Sequence, residues 1–110
     1  MAAPRSGTYP VQVTRRAAQE IREASDWWLR NRPDAPQAFP EELERAFVLL
    51  ATQPRIGAVA RNERLSDVRR VFLDRVRYHL YYRVVESTRQ VQVLALWHSS
   101  RGPGPGVSAG

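Results

Sequence analysis

The chain has 110 residues, 43% of them hydrophobic and 25% charged, which fits one ordinary globular domain with a single core. It contains no cysteine, so disulfides and thiolate metal sites are excluded, and no apolar stretch approaches the roughly 18 residues of a transmembrane helix. Its net charge is +6, and all 17 basic residues are arginine, which favours a polyanionic partner such as nucleic acid or an acidic protein. The same charge would also suit a surface that only confers solubility.

The N-terminal part of the chain predicts a strand followed by a helix. Residues 1–8 are expected to be flexible and have no apolar segment typical of a secretory signal, so we expect a cytoplasmic protein. Tyr9–Val13 has apolar residues at every second position and contains Pro10, which predicts an edge strand. Thr14 can cap a helix that runs from Arg15 to Asn31. One apolar stripe of this helix is predicted to face inward: Ala17, Ile21, Ala24 and Trp28.

A second helix is predicted after a proline-containing break at residues 32–36, and it should end near Gln53. Its apolar stripe has the same spacing as that of the first helix: Phe39, Leu43, Ala46 and Leu50. Pro40 leaves two possible starts, because a proline inside a helix costs about 3 kcal/mol. The helix either begins at Pro40 itself or begins near Pro36 and bends. Two amphipathic helices with a short connection predict an antiparallel hairpin that packs on a sheet.

The C-terminal half predicts three consecutive antiparallel strands, Val68–Leu73, Arg77–Val85 and Gln90–Trp97. Residues 58–67 are expected to form a linking loop, and the Gly- and Pro-rich residues 102–110 a disordered tail. Alternation places two sets of residues on buried faces of the sheet: Tyr78, Leu80, Tyr82 and Val84 in one strand, and Val91, Val93, Ala95 and Trp97 in the next. The predicted core includes Ile21, Trp28, Leu43, Leu50, Leu80 and Tyr82.

These elements predict an α+β fold with the order β-α-α-β-β-β, in which a helical hairpin covers one face of a mainly antiparallel sheet. Residues 9–101 should form the single domain.

The polar side of the predicted sheet carries the residues with chemical potential. His79 and Arg83 share one strand face, and His98 and Arg101 end the last strand. Histidine beside arginine can support acid–base cleavage of RNA, with arginine holding the phosphate. From the spacing alone we favour the simpler interpretation, a solvated face or a surface that binds an acidic peptide. Two widely separated histidines without cysteine predict no metal site, and no cofactor motif is present.

Five sequence blocks, in this order and spacing, resemble the ParE/RelE superfamily of type II toxin–antitoxin toxins. They are V-T-R-x-A-x-x-E-I at 13–21, L-x-x-x-P-x-x-G at 50–57, V-R-R-V-F at 68–72, R-Y-x-L-Y-Y-R-V at 77–84 and V-x-V-L-A-L-W-H-x-x-R at 91–101. The resemblance covers residues 9–101. It implies the same β-α-α-β-β-β fold that the periodicity predicts.

The resemblance implies one of two activities. RelE-type members cut mRNA on the ribosome, and ParE-type members poison DNA gyrase. The arginines of the RelE pattern would align with His79 and Ser99, and the closing L-x-H-x-x-R at Leu96, His98 and Arg101 is more similar to ParE. We therefore expect a toxin of a plasmid stabilisation module that inhibits DNA gyrase. The alternative is a ribosome-dependent mRNA endonuclease, for which the catalytic candidates are His79, Arg83, His98 and Arg101.

The resemblance also implies a partner, a small antitoxin with a DNA-binding N-terminus and an acidic, amphipathic C-terminal segment that folds on binding. Operator DNA would then be bound only through the antitoxin. The candidate antitoxin contacts are Trp27, Arg30, Arg69 and Arg77. The candidate target contacts are Arg83, His98 and Arg101.

Overall fold

The computed structural model describes residues 8–61 and 63–107. The elements are β1 (Val11–Val13), α1 (Arg15–Asn31), α2 (Ala38–Thr52), β2 (Ala58–Val59), β3 (Arg69–Leu73), β4 (Tyr78–Val85) and β5 (Gln90–His98). The strands form one sheet in the order β1-β5-β4-β3-β2, in which β1 runs parallel to β5 and the other neighbours are antiparallel. The predicted α+β class, with two helices on a mainly antiparallel sheet, is confirmed. The flexibility predicted for residues 1–7 lies outside the described residues.

Helix α1 begins and ends where the sequence predicts. The Ala17 amide donates a 3.2 Å hydrogen bond to Thr14 Oγ1, so Thr14 is the N-cap. Three residues of the predicted stripe are buried, and Ile21 packs against them as a partly buried residue. Trp28 Nε1 donates to the Ala35 carbonyl at 2.8 Å, which ties the end of α1 to the connection that follows. In the described part of the chain, no helix is both long and apolar enough to cross a membrane.

Helix α2 begins at Ala38, two residues after Pro36, so the predicted start at Pro40 is wrong and the start near Pro36 is the closer of the two. Pro40 lies in the first turn, where the amide groups have no intrahelical partner, and its missing N–H therefore costs little. Glu42 is 8% exposed and accepts hydrogen bonds from the Arg75 amide at 3.0 Å and from Arg45 at 2.7 Å. This carboxylate ties α2 to the turn between β3 and β4.

The main core lies between the helices and one face of the sheet, which we call the inner face. Trp28, Leu50, Leu80 and Tyr82 are buried there as predicted, and the predicted core residues Ile21 and Leu43 pack against them half-buried. The alternation predicted for β4 is therefore confirmed on this face.

Strand β5 contains a bulge that the sequence did not reveal. Tyr81 pairs with Ala95, whereas Tyr82 pairs with Val93, so Leu94 is an extra residue. After Leu94 the alternation changes sides: Val91 and Val93 belong to the inner core, but Ala95 packs in a second cluster on the other side. The prediction that Ala95 and Trp97 share a face with Val91 and Val93 is wrong for this reason.

The opposite side of the sheet, the outer face, is partly covered. A second buried cluster lies there, formed by Ala60, Val68, Tyr81, Leu94, Ala95 and Val107. The predicted loop 58–67 contributes to this cover and includes the short strand β2, which pairs with Arg69 and Arg70. The outer face is thus less solvated than the polar pattern predicts.

The C-terminal segment 102–107, which we call the strap, also covers the outer face. Val107 is 1% exposed, and its amide donates to Glu63 Oε1 at 2.7 Å. Arg16 Nη2 donates to the Pro105 carbonyl at 2.8 Å. The predicted disorder of residues 102–110 is therefore wrong for residues 102–107, because burial of Val107 and two polar contacts hold them. Residues 108–110 lie outside the described part.

Candidate functional site

A cleft opens where the C-terminal end of β5 meets the last turns of α1. It has a volume of about 330 Å³ and is lined by Trp27, Tyr78, His98, Ser100 and Arg101. We call these five residues the aromatic cleft. An adjoining hollow of about 230 Å³ extends along α1 past Glu20 and Glu23. The cleft therefore joins aromatic, hydroxyl and cationic groups from three separate parts of the chain.

Strand register places two of the cleft residues directly opposite each other. Tyr78 and His98 are direct partners across β4 and β5, and their rings meet edge to face with centroids 5.0 Å apart. The Ser100 amide donates to His98 Nδ1 at 3.2 Å, and the Ser100 hydroxyl lies 2.8 Å from the same nitrogen. Because Nδ1 accepts a hydrogen bond, Nε2 carries the proton of the neutral ring.

Trp27 and Arg101 form the open rim of the cleft. Trp27 is 42% exposed, one position before the buried Trp28, so it lies at the border of the apolar stripe of α1. The Arg101 guanidinium lies 4.1 Å from the centroid of the Trp97 ring, and the Arg101 amide donates to the His98 carbonyl at 3.0 Å. Burial raises the pKa of the Tyr78 hydroxyl above its ordinary value, and the Arg101 charge opposes part of that rise. Tyr78 therefore keeps its proton at neutral pH and can donate a hydrogen bond.

A carboxylate of α1 fixes the wall of the cleft to the sheet. Within residues 8–61 and 63–107, strand β1 pairs with β5 only from Val91 to Val93, and the later part of that edge has no strand partner. Glu20 supplies the missing acceptor there, because its Oε1 accepts a hydrogen bond from the Leu96 amide at 2.9 Å. Its Oε2 accepts from Arg16 Nε at 3.2 Å. The position of β5 relative to α1 is thus set by hydrogen bonds as well as by packing.

The outer face carries a separate row of aromatic rings. His79 pairs with Phe72 on one side and Trp97 on the other, and the Phe72 and His79 ring centroids are 4.9 Å apart. Burial lowers the pKa of His79, and the nearby Arg70 charge lowers it further, so this imidazole is neutral at pH 7. Within the described residues, His79 Nδ1 and Trp97 Nε1 are buried without a hydrogen-bond partner. The row therefore provides ring surface rather than an ionised histidine.

Comparison with known proteins identifies the family. A family model described as "ParE toxin of type II toxin-antitoxin system, parDE" matches residues 11–103. The chain belongs to the ParE toxin family. No curated protein sequence matches this ParE-family chain.

Solved structures of toxins share the fold of this ParE-family chain. A chain of the chromosomal ParDE toxin–antitoxin system from P. aeruginosa superposes with a TM-score of 0.64 at 20% identity, covering 84% of this chain and 98% of that one. A chain of the RelBE2 toxin–antitoxin complex from Mycobacterium tuberculosis gives 0.61 at 23% identity, covering 87% and 97%. The isolated E. coli RelE toxin gives 0.60 at 22% identity, covering 86% and 87%. The predicted resemblance to the ParE/RelE superfamily is confirmed.

The structure of this ParE-family toxin divides the four residues predicted for catalysis. His79 and Arg83 lie on the outer face, where Arg83 Nε donates to Gln92 Oε1 at 2.8 Å. His98 and Arg101 lie in the aromatic cleft. Of the three predicted target contacts, His98 and Arg101 are therefore together and Arg83 is apart from them.

The predicted antitoxin contacts are also dispersed in the ParE-family fold. Trp27 lines the aromatic cleft, and Arg30 is exposed in the last turn of α1. Arg77 lies in the β3–β4 turn, where its carbonyl accepts from the Ser99 amide at 2.9 Å. Arg69 lies at the other end of β3 and donates to the Gly57 carbonyl at 2.8 Å. Trp27 is the one of these four that joins the predicted target contacts.

Two cleft residues were missing from the sequence-based prediction. Tyr78 belongs to the apolar stripe of β4, so its pattern indicates core, and only the register with His98 brings it to the cleft. Ser100 follows the last strand and has no pattern of its own. The spacing of His98 and Ser100 in a tight turn was the available signal, since a side chain can bond the backbone two residues on.

Proposed function

We propose that this toxin arrests growth by binding DNA gyrase through the aromatic cleft, and that a cognate antitoxin neutralises it by covering the same cleft. The observation that supports binding over catalysis is the separation of the two histidines. Tyr78 and His98 form one register pair, and His79 and Trp97 form the next, so the two imidazoles lie on opposite faces of the sheet.

Cleavage of RNA by a histidine pair needs an acid and a base within reach of one phosphodiester. His79 and His98 lie on opposite faces of the sheet, so they cannot act as acid and base on the same phosphodiester bond. The lowered pKa of His79 also makes it a poor proton donor at neutral pH. A paired-histidine nuclease mechanism is therefore unsupported.

The composition of the cleft suits a protein partner. Partly exposed tryptophan, tyrosine and arginine around a concave surface are the residue types that contribute most to protein–protein affinity. Tryptophan and tyrosine offer ring surface with few rotatable bonds, so little conformational entropy is lost on binding, and arginine offers a planar guanidinium that can stack and donate hydrogen bonds. Gyrase inhibition is the activity that the resemblance to ParE implies, and it requires a binding surface of this kind.

The proposed antitoxin is supported by charge and by the neighbouring folds. The M. tuberculosis and E. coli structures of similar fold include toxin–antitoxin complexes. An acidic segment complements the +6 charge of this chain, and Trp27 is a predicted antitoxin contact that shares the cleft with His98 and Arg101. One partner would thus block access of the other. We also propose that the toxin acts in the cytoplasm, within a plasmid stabilisation module, and meets operator DNA only through the antitoxin.

Purified gyrase and ribosomes test the proposal directly. The toxin should cause gyrase to accumulate cleaved plasmid and should leave ribosome-bound mRNA intact. Arg101→Ala should weaken gyrase binding roughly thirtyfold, as loss of an interface arginine worth about 2 kcal/mol would do. Arg83→Ala removes the same charge from the outer face and should leave binding within about twofold. Equal losses in both variants would contradict a role for the cleft.

A second function has one observation in its favour. His98 lines the same cleft as Arg101 and Tyr78, so this one histidine, in its imidazolium form, could donate a proton to a leaving oxygen. This would be the ribosome-dependent mRNA endonuclease of the RelE type. Ribosome-dependent cleavage by the purified toxin, abolished in a folded His98→Ala variant, would favour it over gyrase inhibition.

A further inference from the structure

The strap, residues 102–107, is held on the outer face at three points. The Val107 side chain is buried in the second cluster with Tyr81 and Leu94. The Val107 amide donates to Glu63 Oε1 at 2.7 Å, and the Pro105 carbonyl accepts from Arg16 Nη2 at 2.8 Å. Three contacts of different kinds within a few residues define one path for this segment.

The backbone of the strap is fitted to that path. Gly104 has φ +145°, a backbone conformation that favours glycine, and a Cβ atom there would lie 2.6 Å from Glu63 Oε2, so a side chain would displace this carboxylate. Gly102 has φ +111°, although nothing lies within 4 Å of a Cβ at that position. Gly102 therefore serves as the bend by which the chain leaves Arg101 and turns back onto the sheet.

The docked strap begins immediately after Arg101. The Arg101 guanidinium stacks on Trp97, and Trp97 packs against the same second cluster that buries Val107. Arg16, which holds Pro105, also holds Glu20, and Glu20 accepts from the amide of Leu96. The strap is thus connected to the surroundings of Arg101 in two ways, through the second cluster to Trp97 and through Arg16 and Glu20 to β5.

Arg101 has few other constraints. Among the residues that the structure describes, no carboxylate lies within salt-bridge distance of its guanidinium. Its amide is held by the His98 carbonyl, so the orientation of its side chain depends on the Trp97 ring and on the direction of the chain that follows. Release of the strap would free that direction and disperse the guanidinium over many rotamers.

We propose that the strap is a positioning device for Arg101, with Glu63 and Val107 as the residues that keep it docked. The docked strap holds the Arg101 guanidinium over Trp97 at the rim of the aromatic cleft, ready to contact a partner. The consequence for gyrase binding rests on the proposed function, whereas the consequence for the position of Arg101 does not.

The experiment compares Glu63→Ala with Glu63→Gln in the full chain. Glutamine keeps an oxygen that can accept the Val107 amide, and alanine does not. Nuclear magnetic resonance of the Arg101 Nε and Trp97 Nε1 groups reports the stacking directly. We expect Glu63→Ala to shift both signals and to lower the order of Arg101, and Glu63→Gln to restore them to nearly wild-type positions. Val107→Ala, which removes part of the buried side chain, should act like Glu63→Ala.

Binding to gyrase then supplies a second measurement. Glu63→Ala should weaken binding roughly tenfold, and adding it to Arg101→Ala should cause little further loss, because both act through one guanidinium. Unchanged Arg101 and Trp97 signals in Glu63→Ala and Val107→Ala would overturn the inference. The inference would also be overturned if the losses of gyrase affinity in Glu63→Ala and Arg101→Ala multiplied in the double variant. Shifted signals together with gyrase binding that is insensitive to Arg101→Ala would support the positioning role and refute the proposed target contact.

Discussion

Substitution of Tyr82 by phenylalanine tests the contact between the inner core and the segment after α2. Tyr82 is fully buried, and its hydroxyl accepts the Gly57 amide at 2.9 Å. Phenylalanine keeps the ring in the core but leaves that buried amide without an acceptor. Stranding a buried donor costs about 1–3 kcal/mol. We therefore expect the free energy of unfolding to fall by about 2 kcal/mol, with little change in packing.

Urea denaturation measures this loss. With a slope of roughly 1.5 kcal/mol per molar urea for a small domain, the midpoint should fall by about 1.3 M while the slope stays constant. Tyr9→Phe is the matched control, because the Tyr9 hydroxyl donates at 3.1 Å to the half-exposed Glu86 carboxylate. In that variant a water molecule can donate to the carboxylate in place of the hydroxyl. That variant should lose less than about 1 kcal/mol. Equal losses in the two variants would refute the argument that the Gly57 amide is stranded.

Three further predictions concern the core, pH and salt. Leu80→Ala should cost about 2–5 kcal/mol of unfolding free energy by denaturation, since Leu80 is fully buried, and an unchanged midpoint would contradict its assignment to the core. The pKa of His79 is lowered in the fold, so its contribution to stability is present above its ordinary pKa of 6.5 and is lost as pH falls below it. His79→Gln should therefore flatten the acid side of the stability profile, whereas Arg83→Gln should leave that slope in place. Affinity for an acidic antitoxin should fall as salt rises from 0.1 to 1 M, because the Debye length shortens from about 10 Å to about 3 Å; a salt-independent complex would indicate a mainly apolar interface.

Local patterns predicted the elements of this fold well. The stripe of α1 and the cap at Thr14 define a helix with the observed bounds, because both depend only on residues within a few positions of each other. The alternation of β4 likewise assigns Leu80 and Tyr82 to the inner core. Pro40 was harder, since a proline stops a helix interior but is tolerated anywhere in the first turn.

Features that depend on distant contacts were not predictable from local patterns. The strap is rich in glycine and proline, which is typical of disorder, and its fixed path depends on Glu63 and Arg16, far away in the sequence. The aromatic cleft depends in the same way on Trp27 of α1 meeting the end of β5. In both cases the residues were visible in the sequence, but their proximity follows from the tertiary fold.

The bulge at Leu94 also determines which functional residues share a face of the sheet. If β5 alternated regularly from Val91, the seven-residue step to His98 would place His98 on the outer face with His79 and Arg83. Two histidines and an arginine on one face would have supported an acid–base nuclease. The extra residue reverses the alternation, so His98 pairs with Tyr78 on the inner side and enters the aromatic cleft beside Trp27. One inserted residue thus separates the two imidazoles, and this separation favours a binding toxin over a nuclease. A shift of register that the residue types alone do not display therefore changes which chemistry the same set of residues can support.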